Sequence, residues 1–329
     1  MKFALIGTGR IGKMHAEIIK TNPLSELISL TDINEEEAKK VGYSLNVKVT
    51  SPEDIFDDPN VDAVLIASST KTHIDYIIQG TKAKKAVFCE KPISLEIEDV
   101  LDCQKKLGDY SNTIQVGFNR RFDPHHLSLK DAIEKGTIGK IEKVIITSRD
   151  PGLPPVDYLK GSGGIFNDML IHDFDMAYHL LGEAPKRIAS FGNALVDSSL
   201  KDFGDIDTAM VNMEMESGAL CHINASRRAV YGYDQRIEVF GEKGMLISQN
   251  PTKTTLEFFG NNSTYSKPPL FDFFIDRYEK AYHNQLEDFI KNSKGSSSMG
   301  CQFKDSVIVS KMAKAAADSY KKGSVVSFS

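Results

Sequence analysis

The chain has 329 residues, more than a single hydrophobic core usually serves, so two domains of roughly 100 to 200 residues each are expected. It is 41% hydrophobic with a formal net charge of −5 and has no basic tract or arginine-rich arm to neutralise a phosphate backbone, which argues against a nucleic-acid partner. No apolar run approaches the ~20 residues that span a bilayer, and the run at 3–6 is too short for a signal-peptide core, so neither a membrane nor a secretory route is expected.

The first 120 residues alternate short apolar runs at 3–6, 27–30, 63–67, 86–89 and 113–116 with amphipathic segments such as 11–20 and 93–107. Strands without polar alternation are buried on both faces, and intervening helices imply parallel crossovers, so residues 1–120 are expected to form a doubly wound α/β domain of the Rossmann type. After Phe118 the pattern changes. A helix at 125–135 and a strand at 143–147 precede a Gly/Pro-rich loop at 150–164 and a helix at 165–181. Strand patterns at 209–216, 219–225, 235–240, 245–248 and 255–258 come next, then helices at 274–291 and 304–321. Strands that follow strands favour a largely antiparallel open sheet, giving an α+β domain over residues 121–329.

Gly7, Gly9 and Gly12 form GxGxxG directly after the first strand and at the start of the first helix. There the glycines permit a tight turn and let the backbone approach a pyrophosphate at the positive helix end, with Arg10 and Ile11 as neighbouring contacts. The next strand ends at Asp32, about twenty residues past the last glycine, where a carboxylate accepts ribose hydroxyls and repels a 2′-phosphate. Ile33, Asn34, Glu35 and Glu36 supply no compensating arginine, so NAD is the expected cofactor rather than NADP. Ser68 and His73, after the strand at 63–67, and Glu90, after the strand at 86–89, are further candidates to line the cofactor cleft.

Three more segments stand out: Glu90, Lys91 and Pro92; GFNRRFD from Gly117 to Asp123; and GGIFNDMLIHDFD from Gly163 to Asp175. Asp168 and His172 are four apart in a predicted helix, hence on one face, where a carboxylate can orient an imidazole and raise its proton affinity. Two such residues lack the further ligands that zinc needs, and hydride transfer to NAD requires no metal, so none is expected. Cys89, Cys103, Cys221 and Cys301 form no CxxC pair and read as reduced thiols of a cytosolic protein.

Together with GxGxxG and the YGYD at Tyr231 to Asp234, these segments resemble the oxidoreductase family named for glucose-fructose oxidoreductase and inositol dehydrogenase (Gfo/Idh/MocA), along the whole chain. Within that family the motifs are most similar to those of inositol 2-dehydrogenases. The resemblance implies NAD-dependent oxidation of a ring hydroxyl of a polyol or sugar. Lys91 would donate to the reacting oxygen, His172 would act as general base, and Asp168 would support the base or bind substrate. Arg121, Asp150, Asn167, Tyr231 and Tyr233 are placed by motif as substrate contacts, with Arg120 an alternative to Arg121. It also implies a substrate-binding second domain and a homotetramer or homodimer.

The chain has Ser148, Arg149, Asp150 and Pro151 where better-known inositol dehydrogenases carry a histidine and an asparagine, and Ser68, Ser69 and Thr70 replace a usual proline. The first departure leaves scyllo-inositol, related cyclitols and aldopyranoses open beside myo-inositol. An NAD(P)-dependent aldose or sugar dehydrogenase of the same family and a non-enzymatic sugar- or dinucleotide-sensing regulator are the alternatives, although a sensor need not keep Lys91, Asp168 and His172 together.

Overall fold

Apolar strands spaced by amphipathic helices fold as parallel crossovers, and the computed structural model, which describes residues 1–328, begins this way. Strands β1 (Lys2–Ile6), β2 (Glu26–Thr31), β3 (Lys48–Val49), β4 (Ala63–Ile66), β5 (Ala86–Cys89) and β6 (Ile114–Val116) alternate with helices α1 (Arg10–Thr21), α2 (Glu35–Leu45), α3 (Pro52–Asp57), α4 (Thr70–Lys82) and α5 (Ile97–Leu107). Local chemistry sets the boundaries. Asn34 caps α2 by accepting from Glu37 N, with three glutamates in the first turn, while Ser51 caps α3 ahead of Pro52.

The middle of the chain holds α6 (Pro124–Glu134), β7 (Ile141–Arg149), α7 (Val156–Gly161), α8 (Gly164–Asp168) and α9 (Ile171–Leu181). Strands β8 (Pro185–Asn193), β9 (Thr208–Met215), β10 (Leu220–Ser226), β11 (Asp234–Gly241) and β12 (Gly244–Ser248) precede the hairpin β13 (Phe258–Gly260) and β14 (Ser263–Ser266). Helix α10 (Phe274–Asn292), β15 (Cys301–Gln302), α11 (Phe303–Lys322) and β16 (Val326–Ser327) close the chain.

Two compact units result: Met1–Phe122 with Lys280–Ser310, and Asp123–Glu279 with Lys311–Ser329. In the first, the sheet order is β15-β6-β5-β4-β1-β2-β3, parallel except for β15 against β6. Both faces of its central strands are buried, with Ala63, Val64, Leu65 and Ile66 wholly inaccessible. The second unit's sheet runs β12-β11-β7-β10-β9-β8-β16, antiparallel except for β7 against β10. Its strands alternate buried and accessible residues, as in β10, so one face packs and the other meets solvent.

Several elements differ from their sequence expectation. Residues 280–310, read as part of the second domain, belong to the first unit, because a parallel sheet must be covered on both faces. Phe289 of α10 supplies that cover, its ring 5.9 Å from Phe3 and 5.7 Å from Phe88. The helix expected at 165–181 is two helices. Both Met169 N and Leu170 N reach Ile165 O, closing a turn that separates α8 from α9. Strand β8 was not anticipated, and of the strand expected at 255–258 only Phe258 is in a strand, as the first residue of β13 in the β13–β14 hairpin.

All four cysteines are buried, and burial pushes the Cys103 and Cys221 thiols up to about 12. Among the described residues no helix is long and apolar enough to cross a membrane, and no group of three or more His, Cys, Asp or Glu could hold a metal.

In the second unit Asp123 is buried and accepts two hydrogen bonds from Arg277, at 2.9 and 2.8 Å. Burial alone would raise its pKa, but the Arg277 hydrogen bonds together with the charges of Arg277, His126 and His125 outweigh it and hold the carboxyl below its ordinary value. A depressed folded-state pKa contributes stability above the unfolded value of ~3.9 that is lost as pH falls through the folded one. Asp123→Asn leaves the guanidinium buried beside a neutral amide and is expected to cost about 3–5 kcal/mol near neutrality. Urea unfolding across the acid range checks this: the variant should lose less stability on acidification than the parent, and parallel acid limbs would remove Asp123 from that role.

Candidate active site

The carboxyl ends of parallel strands are where an open α/β sheet binds ligands, because there the backbone groups and polar side chains leave the buried ladder. In the first unit β1 runs into Gly7, whose φ is +100° and whose absent Cβ would lie 2.5 Å from the Ala67 backbone. A Cβ on Gly12 would lie 2.0 Å from Gly7 O, whereas one on Gly9 would meet nothing within 4 Å. Two glycines therefore let the turn close against its neighbours. The third, at the α1 N-cap, leaves the helix terminus open to a pyrophosphate, so this loop fits a dinucleotide. Arg10 is exposed and Ile11 half-buried beside it.

Asp32, just past β2, is fastened to this loop: Oδ2 accepts from Thr8 N at 2.6 Å and Thr8 Oγ1 at 3.1 Å, while Oδ1 accepts from Asn34 N at 2.8 Å. Oδ1, with a single donor, keeps lone-pair capacity for a ribose hydroxyl. Ile33 is fully exposed next to it.

Ser68 follows β4, and Glu90, Lys91 and Pro92 follow β5 with a cis Lys91–Pro92 peptide. His73 is buried between them, with Nδ1 2.8 Å from Pro92 O and Nε2 3.1 Å from Ser68 O. Burial holds its pKa down against those two backbone contacts. Its ring nitrogens thus engage the loops that follow β4 and β5. Lys91 itself is half-buried. Arg121, expected at substrate, is buried in the first unit with Nη1 3.6 Å from Asp305 and 3.5 Å from Met299 O, and Arg120 is buried beside it.

The second unit gathers a different set. Asp168, at the end of α8, accepts from the Tyr158 hydroxyl at 2.7 Å and from Arg227 Nη2 at 3.0 Å. The Arg227 side chain is 1% exposed and places Nη1 4.0 Å from Asp150. One buried guanidinium therefore serves two of the expected substrate-site carboxylates. Burial and the adjacent Asp168 carboxylate push the Tyr158 hydroxyl's pKa well up, which keeps it a proton donor. His172, half-buried, lies on α9 and not on the helix that carries Asp168. Asn167 donates to Gly163 O at 3.2 Å.

Tyr231 is half exposed, donates to Asp234 at 2.8 Å and accepts from Arg149 Nη1 at 2.8 Å. Tyr233 is buried, its ring edge-on to Tyr278 at 6.0 Å. Sequence reasoning missed Arg227, Tyr158 and His15. The first two carry no motif signal, since Arg227 pairs with Asp168 across 59 residues and Tyr158 lies within the stretch read as a Gly/Pro-rich loop.

Comparison with known proteins agrees with this division of labour. Residues 1–118 match the model of an oxidoreductase family with an NAD-binding Rossmann fold, and residues 126–247 match a GFO/IDH/MocA C-terminal domain. An inositol 2-dehydrogenase of Rhizobium meliloti is 45% identical over 290 residues, covering 88% of each chain. The chain belongs to the Gfo/Idh/MocA oxidoreductase family. Among solved members, a myo-inositol dehydrogenase from Corynebacterium glutamicum superimposes with a TM-score of 0.96 at 37% identity, covering 100% of this chain and 99% of the other. A scyllo-inositol dehydrogenase from Lactobacillus casei, described with bound NAD(H) and scyllo-inositol, has a TM-score of 0.91 at 28% identity, covering 99% and 98%.

As a Gfo/Idh/MocA oxidoreductase the protein binds NAD, and the three glycines make separable contributions to that. Gly9→Ala meets no protein atom and should leave the thermal midpoint within about 2 °C of the parent while weakening NADH affinity about tenfold or more. Gly12→Ala collides with backbone and should lower the midpoint by about 4 °C or more. Thermal melts paired with NADH fluorescence titration test both, and an unchanged NADH affinity in Gly9→Ala would show that the pyrophosphate lies elsewhere.

Proposed function

We propose that this protein catalyses NAD-dependent oxidation of a ring secondary hydroxyl of an inositol to the ketone. The observation that carries the reading is the near-full-length similarity to an inositol 2-dehydrogenase. The site geometry supports it. A buried cation beside two carboxylates, Arg227 with Asp168 and Asp150, suits a polyol, whose several hydroxyls need fixed charged acceptors and ordered donors.

Bound NAD⁺ supplies the hydride acceptor. Lys91 donates a hydrogen bond to the reacting oxygen and stabilises alkoxide character there. His172 takes the hydroxyl proton as general base. Asp168, locked by Tyr158 and Arg227, presents a carboxylate of set orientation to the substrate or the base, and Asp150 is held less tightly by the same arginine. Arg121, Asn167, Tyr231 and Tyr233 belong to the same proposal as substrate contacts or as its supports. Of these, Tyr231 has the accessible ring and Tyr233 the buried one.

Ser148 is wholly buried and donates to Gln235 at 3.1 Å, so the departure in this segment falls to Asp150, half-buried at the end of β7, which we assign to isomer choice. The reading includes a cytosolic homotetramer or homodimer. Self-association is supported by the outward face of the second sheet, where Phe191, Met210, Leu220 and Met245 are exposed.

The decisive experiment follows nicotinamide reduction with NAD⁺ and NADP⁺ against a panel of inositol isomers and aldoses. NAD⁺ with an inositol is expected to give the highest kcat/KM, and the double substitution Asp32→Ser and Ile33→Arg should narrow the preference for NAD⁺. Preference for NADP⁺ in the parent would overturn the role given to Asp32, and no turnover with any member of the panel would favour a sensor.

Loss of the base gives a second prediction. His172→Ala should lower turnover by about 10²–10⁴, the contribution of a positioned base, and should flatten the acid side of the rate profile. Lys91→Ala should cost about 10²–10³ with NADH still bound. A His172→Ala enzyme that keeps its rate and its acid limb has its base elsewhere.

A further inference from the structure

His15 lies on the inward face of α1, the helix whose N-terminus the glycine loop opens, and its relative exposure is 2%. Its Nε2 is 2.7 Å from Glu90 Oε1, and the two side chains are 3% and 12% exposed. A largely buried carboxylate needs donors, and this imidazole supplies one to Oε1. The ring is held edge-on by Phe88, at 5.5 Å and 64°, and by Tyr282, at 5.7 Å and 89°, so its nitrogen is aimed rather than merely near. Glu90's other oxygen accepts from Lys91 N at 3.2 Å. Space for the carboxylate exists because residue 117 is glycine, where a Cβ would lie 2.6 Å from Glu90 Oε2.

The chain of contacts is therefore continuous: α1, His15, Glu90, the amide of Lys91. We propose that His15 is a positioning residue for Lys91, acting through Glu90, so that the helix presenting its N-terminus to the dinucleotide also fixes the lysine at the reacting oxygen. The proposal rests on the reading of Lys91 given above. Its physical basis is that a donor must meet the reacting oxygen within a few tenths of an ångström, and a shift of about 1 Å originating away from the chemistry costs on the order of 10² in rate.

The experiment compares two amides of different reach. In His15→Gln the amide nitrogen can approach the position of Nε2. In His15→Asn the same group is one methylene too short, with polarity kept so that the site is not left apolar against a carboxylate. Each is made in the parent and in Lys91→Ala, with thermal midpoint, NADH affinity by fluorescence titration, and kcat and KM on the best inositol measured for all.

His15→Asn is expected to lower kcat by about 10²-fold in the parent with KM and NADH affinity within about threefold. His15→Gln should restore at least half of that loss on a logarithmic scale. In the Lys91→Ala background, His15→Asn should change the residual kcat by less than about threefold, because the group that it positions is gone.

A purely architectural histidine predicts another pattern: both variants lose thermal stability, and the kcat loss from His15→Asn is the same with and without Lys91. That result, or parent-like kcat in His15→Asn, overturns the proposal while leaving Lys91 in place. Near-normal turnover of Lys91→Ala itself overturns the role of the lysine and the proposal with it. Should His15→Asn not fold, the pair Glu90→Gln alone and with Lys91→Ala gives the same comparison, since Gln keeps the shape and removes the charge that His15 holds.

Discussion

A parallel sheet buried on both faces leaves its strands no polar alternation, and in the first unit this constraint governs almost everything else. Strands β1, β4 and β5 are apolar throughout their buried lengths, so polar chemistry is confined to their ends. Gly7, Asp32, Ser68 and Glu90 each lie just beyond the last residues of a strand. The same constraint calls the chain back. One sheet face needs a cover that residues 1–122 do not supply, and Phe289, Ile290 and Leu286 of α10 are buried in that role.

Tight backbone approach is the second consequence. Where the loops after β1 and β4 meet, no side chain fits, so glycine at positions 7 and 12 is a packing requirement before it is a ligand requirement. Gly9 alone is open. Asp32 then uses part of its hydrogen-bonding capacity to hold Thr8, so the residue expected to read the ribose also sets the shape of the turn that meets the pyrophosphate. Linking those tasks makes the cofactor site rigid, which reduces the ordering cost of binding.

The second unit solves a different problem, the burial of charge. Asp123 has Arg277, Asp234 has Arg236 at 2.7 Å, and Asp168 shares Arg227 with Asp150. A buried carboxylate without a cation loses several kcal/mol of solvation, whereas a paired one with good geometry largely recovers it. Arg227 differs from the other two in serving two acids, one at 3.0 Å and one at 4.0 Å.

What the sequence determined by itself is whatever depends on near neighbours in the chain. Strand and helix patterns gave the doubly wound sheet, the strand-to-sheet succession gave the second sheet, and GxGxxG with Asp32 marked the cofactor loop, because periodicity, capping and turn chemistry are local. The motifs also marked Lys91, Asp168 and His172 as the residues to test. Tertiary structure alone decided the partners. His15 meets Glu90 across 75 residues, Arg227 meets Asp168 across 59, and residues 280–310 rejoin the first sheet after the whole second sheet has been built. It also split the helix that would have aligned Asp168 with His172, by a turn at residues 169–170 whose backbone hydrogen bonds converge on Ile165 O. No sequence period reports such pairings, since a buried charge accepts any cation that the packing brings within reach, and packing is a property of the assembled sheet and not of the segment.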